Sequence, residues 1–234
     1  MYNIYKYYFS LLIACCVVSI LSAQENEISN DSIFKKKVVF NSLRLDLDVS
    51  PALTTFLNNG ETYSFETGIQ VEINKRFYPI VELGYGGGNK LTGSGIRYKG
   101  DALFYRAGMD FNLLKNKSEN PVYNNLFLFG VRLGYTYFDY ELQNISFADD
   151  FWGTNITKDL DGTSSNFWFE IAAGVRVEIY KNLYIGWTVR IKNMLFQPDP
   201  GTFKPWYVPG YGIDGDASVW GFNYMIGYKL LNNK

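Results

Sequence analysis

The chain has 234 residues, with 22 basic and 23 acidic side chains, a formal net charge of -1 and only 19% charged residues. This balance excludes a polybasic nucleic-acid-binding protein, and 47% hydrophobic with 18% aromatic residues excludes a mostly disordered chain. The absence of histidine removes the commonest general base and the commonest metal ligand, so we expect no enzymatic activity, no metal site and no cofactor.

The amino-terminal segment has the pattern of a secretory signal peptide. An uncharged stretch over residues 7–23 ends in Leu21-Ser22-Ala23. Its length of about 17 residues is short of the ~20 that a membrane-spanning helix needs, so we predict a signal peptide over residues 1–23, cleaved after Ala23. Leu12-Ile13-Ala14-Cys15 resembles a lipobox and leaves a lipid anchor on Cys15 as an alternative. Both cysteines lie in this segment, so the mature chain would contain no disulfide.

Residues 24–40 form a polar segment between the signal peptide and the first strand. Phe34 precedes Lys35-Lys36-Lys37 in this segment. We predict a periplasmic arm that reaches a partner through Phe34.

From Phe40 onward, apolar and polar residues alternate in short runs, as in β-strands. The first run sets Leu43, Leu45 and Leu47 against Arg44 and Asp46. The alternation predicts eight strands, at residues 43–49, 63–73, 77–85, 103–111, 127–137, 167–179, 183–191 and 220–230.

The volume of a small barrel decides which face of these strands points inward. Eight strands enclose a lumen just wide enough for side chains to fill, so dozens of large apolar residues cannot all fit inside. The opposite face combines isolated charges with glycines, which leave room in a narrow lumen: Gly84, Gly108, Gly130, Gly134, Gly174, Gly186, Gly221 and Gly227. We therefore predict an all-β fold, an eight-stranded antiparallel up-and-down transmembrane β-barrel over residues 41–234, with its apolar face toward lipid. A soluble lipocalin-like barrel remains the alternative.

Because this assignment turns the polar face of the strands inward, it predicts a network of charged side chains in the lumen. Charges in a narrow, poorly hydrated interior must be paired or hydrogen-bonded. A structural network of ion pairs is therefore expected, with a narrow ion or proton path as the alternative. The predicted network comprises Arg44, Asp46, Asp48, Glu66, Glu72, Glu82, Arg106, Asp110, Arg132, Glu170, Arg176, Glu178, Arg190, Lys192 and Lys229.

The predicted connections alternate in length, as in outer-membrane barrels. Short turns at residues 74–76 and 181–182, with a longer one at 114–125, lie at the periplasmic end; the outward loops cover residues 51–61, 86–101, 141–166 and 197–216. Large aromatic residues in two of these loops are candidate partner contacts, because exposed aromatic clusters mark interaction surfaces: Phe151, Trp152, Phe203, Trp206 and Tyr207. The alternatives are that the loops fold over the barrel mouth and bury one another, or that they contact lipid headgroups.

Two stretches resemble a known group of proteins. The signal ending Leu21-Ser22-Ala23-Gln24 and the closing Gly221-Phe222-Asn223-Tyr224-Met225-Ile226-Gly227-Tyr228-Lys229-Leu230 are similar to small outer-membrane barrels of Bacteroidota, in an uncharacterised family of about this length. The resemblance covers essentially the whole mature chain and implies an outer-membrane location in a Gram-negative bacterium, with no catalytic residue.

We therefore expect a non-enzymatic outer-membrane barrel that acts as a scaffold or interaction subunit, for example of an envelope assembly or export complex. Its partners would be outer-membrane lipid and envelope proteins, without nucleic acid. The alternative function is a narrow ion or small-solute channel through the charged lumen.

Overall fold

A computed structural model describes residues 39–114, 125–148, 155–199, 203–215 and 218–232 of the chain. The predicted signal peptide, almost all of the predicted arm, and the candidate contacts Phe34, Phe151 and Trp152 lie outside the described residues.

The described chain is almost entirely β structure. Its strands are β1 (Phe40–Asp48), β2 (Thr62–Ile73), β3 (Phe77–Leu91), β4 (Arg97–Asn112), β5 (Leu126–Ala148), β6 (Asn155–Tyr180), β7 (Leu183–Phe196), β8 (Tyr207–Val208), β9 (Gly212–Ile213) and β10 (Val219–Asn232). A short helix, α1 (Ser50–Leu57), follows β1. Over the described ranges, no helix has the length and apolar character to cross a membrane.

Eight of these strands close into a barrel in the order β1-β10-β7-β6-β5-β4-β3-β2. Every neighbouring pair is antiparallel, and the ring closes where β1 pairs with β10, for example at Leu45 and Tyr228. The predicted eight-stranded antiparallel barrel is confirmed. The short strands β8 and β9 form a separate hairpin.

The tight turns lie at one end of the barrel. Asn74 and Lys75 have φ of 54° and 56°, and Asn182 has φ of 66°. Two-residue hairpin turns need positive φ, and asparagine tolerates this conformation better than most residues. These turns join β2 to β3 and β6 to β7 at the predicted positions.

The opposite end differs from the prediction, because much of the expected loop structure is β-strand. Residues 86–91 continue β3, and the described parts of 141–166 continue β5 and β6 as one long hairpin. Polar residues occupy both faces of that hairpin, so the period-two signal disappears although the backbone pairing continues. The predicted loop 51–61 begins with α1, whose first turn contains Pro51.

At the barrel end with the long hairpin, the strands extend to different heights. Phe167 of β6 pairs with Phe196 at the end of β7, so residues 155–166 of β6 pair only with β5 within the described structure. Strands β3 to β6 therefore extend beyond the rest of the ring. The segment that follows β7 packs against the inner face of this extension.

The two faces of the barrel wall differ sharply in polarity. The outer face carries large apolar side chains, such as Phe65 at 56% exposure and Val81 at 61%. The inner face carries arginines, carboxylates and glycines, and Arg106 is only 1% exposed. An exposed apolar surface of this extent exceeds what soluble monomers normally show.

Candidate functional site in the barrel lumen

The strand alternation turns the predicted lumen charges to the inner face. Most are buried: Arg44, Asp46, Asp48, Glu66, Glu82, Arg106, Asp110, Arg132, Glu170, Arg176 and Arg190. The remaining ones are half-buried toward the two ends: Glu72, Glu178, Lys192 and Lys229.

Glu82 is the centre of the network and contacts three arginines. Arg190 reaches its carboxylate with two nitrogens, Nη1 to Oε2 at 2.8 Å and Nη2 to Oε1 at 2.9 Å. Arg106 Nε lies 2.9 Å from Oε2, and Arg132 Nε lies 3.3 Å from Oε1. The three cations hold the carboxylate ionised, since an isolated buried charge would cost several kcal/mol.

Glu66 and Glu170 complete the central layer. Both accept from Arg106, and Glu170 Oε2 also lies 3.3 Å from Arg190 Nη1. Glu170 Oε1 accepts a hydrogen bond of 2.7 Å from the indole of Trp168. Three arginines, Arg106, Arg132 and Arg190, and the three glutamates therefore contact one another across the lumen and neutralise their charges.

A second set of contacts extends the network toward the tight-turn end. Asp110 Oδ2 accepts from Arg132 at 3.0 Å and from the Gln70 amide at 2.7 Å, and Gln70 in turn accepts from Arg44. Arg44 Nε lies 2.8 Å from Asp46 Oδ1. Near the end of the barrel, Lys229 Nζ lies 3.0 Å from Glu72 Oε2.

Arg176 differs from the other lumen arginines. It donates to the carbonyls of Val175 and Trp187, each at 3.1 Å, and to Thr188 Oγ1 at 3.0 Å. Among the described residues it has no ion pair. The carbonyl dipoles solvate its charge instead.

Glycines on the inner face make room for these side chains. A Cβ at Gly130 would lie 2.0 Å from Asp110 Oδ1, and one at Gly186 would lie 2.8 Å from Cδ of Arg176. The large charged side chains of the network therefore pack directly against the backbone of the inner wall, at positions where the wall has glycine.

Above the charge network, toward the long hairpin, lies a layer of aromatic side chains that the sequence analysis missed. Its fully buried members on the barrel wall are Tyr98, Phe104, Phe138, Tyr140 and Trp168. The period-two pattern assigned aromatic residues to lipid, but Phe167-Trp168-Phe169 and Leu103-Phe104-Tyr105 are uninterrupted apolar runs. In such a run the middle residue must point inward, and that signal would have identified Trp168 and Phe104.

Residues 203–215, which we call the mouth segment, fill the space above this layer. The sequence analysis named Phe203, Trp206 and Tyr207 as candidate partner contacts, with burial over the barrel mouth as an alternative. In the structure, Tyr207 is buried and the other two are partly buried against the aromatic layer, as in that alternative. The rings pack inward because the extended strands β3 to β6 offer an apolar inner face there. The burial raises the pKa of the Tyr207 hydroxyl above its ordinary value, so this group stays neutral.

Polar contacts hold the backbone of the mouth segment. The hydroxyls of Tyr98 and Tyr140 donate to the carbonyls of Tyr207 and Phe203, each at 2.8 Å. Lys192 Nζ donates to the carbonyl of Gly210 at 2.7 Å and to that of Tyr211 at 3.1 Å. Lys192 was predicted as part of the charge network, but its ammonium anchors this segment.

A cleft of about 120 Å³ remains at the mouth. It lies between α1, the adjoining ends of β1, β2 and β10, and the mouth segment. Its lining is mostly polar and includes Asp48, Ser50, Ser64, Glu66, Tyr207 and Asn223. Glu66 therefore lies both at this cleft and in the central charge layer.

Comparison with known proteins gives a family but no activity. The family model described as "Domain of unknown function (DUF6048)" matches residues 4–232. No curated protein matches the sequence. The crystal structure of Acinetobacter baumannii CarO2 is similar with 12% identity and a TM-score of 0.40, covering 83% of this chain and 100% of that chain. A similarity of this size supports no functional argument, and the fold assignment rests on the closed ring of strands.

Proposed function

The chain belongs to the DUF6048 family of unknown function, and we propose that it is an outer-membrane β-barrel with a closed lumen, a non-enzymatic scaffold or interaction subunit of the envelope. The proposal of a closed lumen rests on one observation, the filling of the lumen by side chains. Paired charges fill its middle, and the aromatic layer with the mouth segment fills the space above.

The surface polarity supports the membrane location. Apolar side chains on the outer face would be costly in water and favourable in lipid, and a closed ring leaves no strand edge unpaired in the bilayer. The predicted signal peptide, cleaved after Ala23, would direct export. We assign the protein to the outer membrane of a Gram-negative bacterium, and the resemblance of its closing strand favours Bacteroidota.

A closed barrel needs a role other than transport, and the surfaces outside the membrane supply candidates. The long β5–β6 hairpin projects beyond its neighbours and exposes polar residues such as Lys158 and Asp159. The predicted periplasmic arm with Phe34 is a second candidate contact region. We propose envelope proteins as the partners of these two regions, as in an assembly or export complex.

We expect the protein to co-purify with other envelope proteins in stoichiometric amounts. The measurement is a pull-down from the native outer-membrane fraction in mild detergent, followed by mass spectrometry. Shortening the β5–β6 hairpin should remove partners bound at the outer end, while replacing the exposed Thr92-Gly93-Ser94 turn should leave them bound. Recovery of the protein alone in every detergent contradicts the scaffold role, and recovery from the soluble fraction contradicts the location.

A narrow channel is the second candidate, because charged side chains line the lumen over most of its height. The cleft brings the outside solution to Glu66, and Arg106, Arg132 and Arg176 continue inward from there. Within the described structure, Arg176 donates to two carbonyls and the Thr188 hydroxyl and pairs with no carboxylate, so it is the arginine most available to a passing anion.

We expect planar bilayers containing the purified protein to remain electrically silent, since eight strands leave no aqueous channel of porin size. Steady current steps that fall in Arg176→Gln and persist in the exposed control Arg97→Gln would replace the closed-barrel proposal by the channel. Currents that neither substitution changes would come from a path outside the charged lumen.

A further inference from the structure

The part of the wall that extends beyond the ring, formed by β3 to β6, has two edges that differ in length. On β3 the edge covers residues 89–91, and the Asn89 amide there donates to the carbonyl of Glu61 at 2.8 Å. On β6 it covers residues 155–166, and among the described residues no backbone hydrogen bond joins it to a segment other than β5. Every second residue of such an edge directs its N–H and C=O away from the sheet, so β6 presents a row of main-chain donors and acceptors.

Residues 157–163, which we call the β6 edge, are the part of this row that is open to water. Thr157, Lys158, Asp159, Asp161 and Thr163 are all exposed. The segment contains no proline, which would remove a main-chain donor from the edge. An accessible edge strand of this kind can pair with an extended segment of another polypeptide.

A row of charged side chains on the outer face runs across the extension and ends at the β6 edge. Lys99 of β4 lies directly opposite Glu141 of β5, and Glu141 lies directly opposite Asp161 of β6. Lys99 Nζ is 3.8 Å from Glu141 Oε1. Within the described ranges no cation pairs with Asp161. Like charges directly opposite one another destabilise strand pairing, so Glu141 and Asp161 repel each other.

A strand added at the β6 edge would place one of its side chains directly opposite Asp161, on the side away from Glu141. A lysine or arginine at that position would offset the repulsion, because it would put a cation at each end of the row of carboxylates. Asp159 lies on the same face as Asp161, so a second basic residue two positions along the added strand would meet it. Lys158 lies on the opposite face, and in the described structure no ion pair joins it to either carboxylate.

We propose that the β6 edge binds an extended segment of a partner protein through main-chain hydrogen bonds, and that this segment has basic side chains at alternate positions. The main-chain bonds supply the binding, and the charge row selects the segment. A second copy of the chain suits the edge less well, because it would bring Asp159 and Asp161 against an equally acidic strand. The inference rests on the scaffold function proposed above, and it states how the long hairpin holds its partner.

The test uses the purified full chain in detergent and a fluorescent synthetic peptide of alternating lysine and threonine, as long as the β6 edge. In an extended peptide the lysines share one face. Two further peptides keep the charge but carry N-methyl groups, one on every lysine nitrogen of the backbone and the other on every threonine nitrogen. A fourth peptide has glutamate in place of lysine. We expect saturable binding of the lysine peptide by fluorescence anisotropy, no binding of the glutamate peptide, and binding of only one methylated form, because only alternate amides of an added strand face the edge.

Asp161→Lys should weaken the lysine peptide about fivefold and allow the glutamate peptide to bind, because it reverses the charge at the end of the row. Glu61→Lys changes the net charge of the protein by the same amount at an exposed carboxylate outside the β6 edge, so it should leave the Kd unchanged. Hydrogen exchange followed by nuclear magnetic resonance should show slower exchange of every second amide over residues 157–163 when the lysine peptide is added. A purely electrostatic contact would not produce that alternation.

The site is overturned if the lysine peptide does not saturate, if both methylated forms bind equally, or if amide exchange over residues 157–163 does not change. Slow exchange of these amides without peptide, in a protein of dimeric mass, would assign the edge to a second copy instead. The titrations need the barrel alone: peptide binding with no partner in the pull-down contradicts the scaffold role, whereas partners that Asp161→Lys fails to release contradict the β6 edge as their site. Circular dichroism checks the folding of Asp161→Lys, and the methylated peptides decide the question on the wild type if that variant does not fold.

Discussion

Replacing Glu82 with glutamine should lower the free energy of unfolding by about 3–5 kcal/mol, because it removes one member of a buried charge network and leaves the rest uncompensated. Glu82 is 2% exposed, and its carboxylate contacts Arg106, Arg132 and Arg190. Glutamine keeps the shape of the side chain but supplies one neutral acceptor in place of two charged oxygens. The measurement is equilibrium unfolding in guanidinium, followed by tryptophan fluorescence of the protein in detergent or lipid vesicles.

The matched control is Glu141→Gln on the long hairpin. Glu141 has its own ion pair, with Lys99 Nζ at 3.8 Å, but both side chains are substantially exposed. Exposed pairs contribute about 0–1 kcal/mol, so this variant should unfold close to the wild type. Equal losses for the two variants would mean that the central charges are well hydrated and do not act as a packed network.

Replacing Gly134 with alanine should also destabilise the barrel, by about 1–3 kcal/mol, because one methyl group has no space there. A Cβ at Gly134 would lie 2.2 Å from the indole of Trp168. That indole is completely buried and donates to Glu170, so it cannot move aside without breaking the bond to the charge network. Tryptophan emission should shift to longer wavelength as the ring is displaced.

Gly93→Ala tests whether this effect comes from packing. A Cβ at Gly93 would meet no atom within 4 Å, so this variant should unfold at the same guanidinium concentration as the wild type. If Gly134→Ala unfolds there as well, the close packing of the aromatic layer on the inner wall is wrong.

The sequence alone determined the strands and the direction in which most of their side chains point. Alternation is a local property, because successive side chains of a strand face opposite sides whatever the strand pairs with. The limited volume inside eight strands then indicated which side is the interior. These two arguments placed residues such as Arg106 and Glu82 on the inner face and residues such as Phe65 on the outer face, where the structure has them.

The same reasoning failed where the alternation breaks. Trp168 and Phe104 lie in uninterrupted apolar runs, and the polar faces of the long hairpin hide its strands from a pattern of period two. The aromatic residues of the mouth segment carried no periodic signal at all. The sequence therefore left burial over the barrel mouth, contact with a partner and contact with lipid headgroups as alternatives for Trp206 and Tyr207.

Only the tertiary structure decided which groups meet. Glu82 and Arg190 are 108 residues apart, and they form their two hydrogen bonds because barrel closure brings β3 and β7 to opposite walls of one narrow lumen. Lys192 turns to the carbonyls of the mouth segment, although its place on β7 marked it only as a lumen charge. Strand periodicity depends on neighbouring residues, whereas these pairings depend on closure, register and the free volume left by glycine, which are properties of the assembled ring.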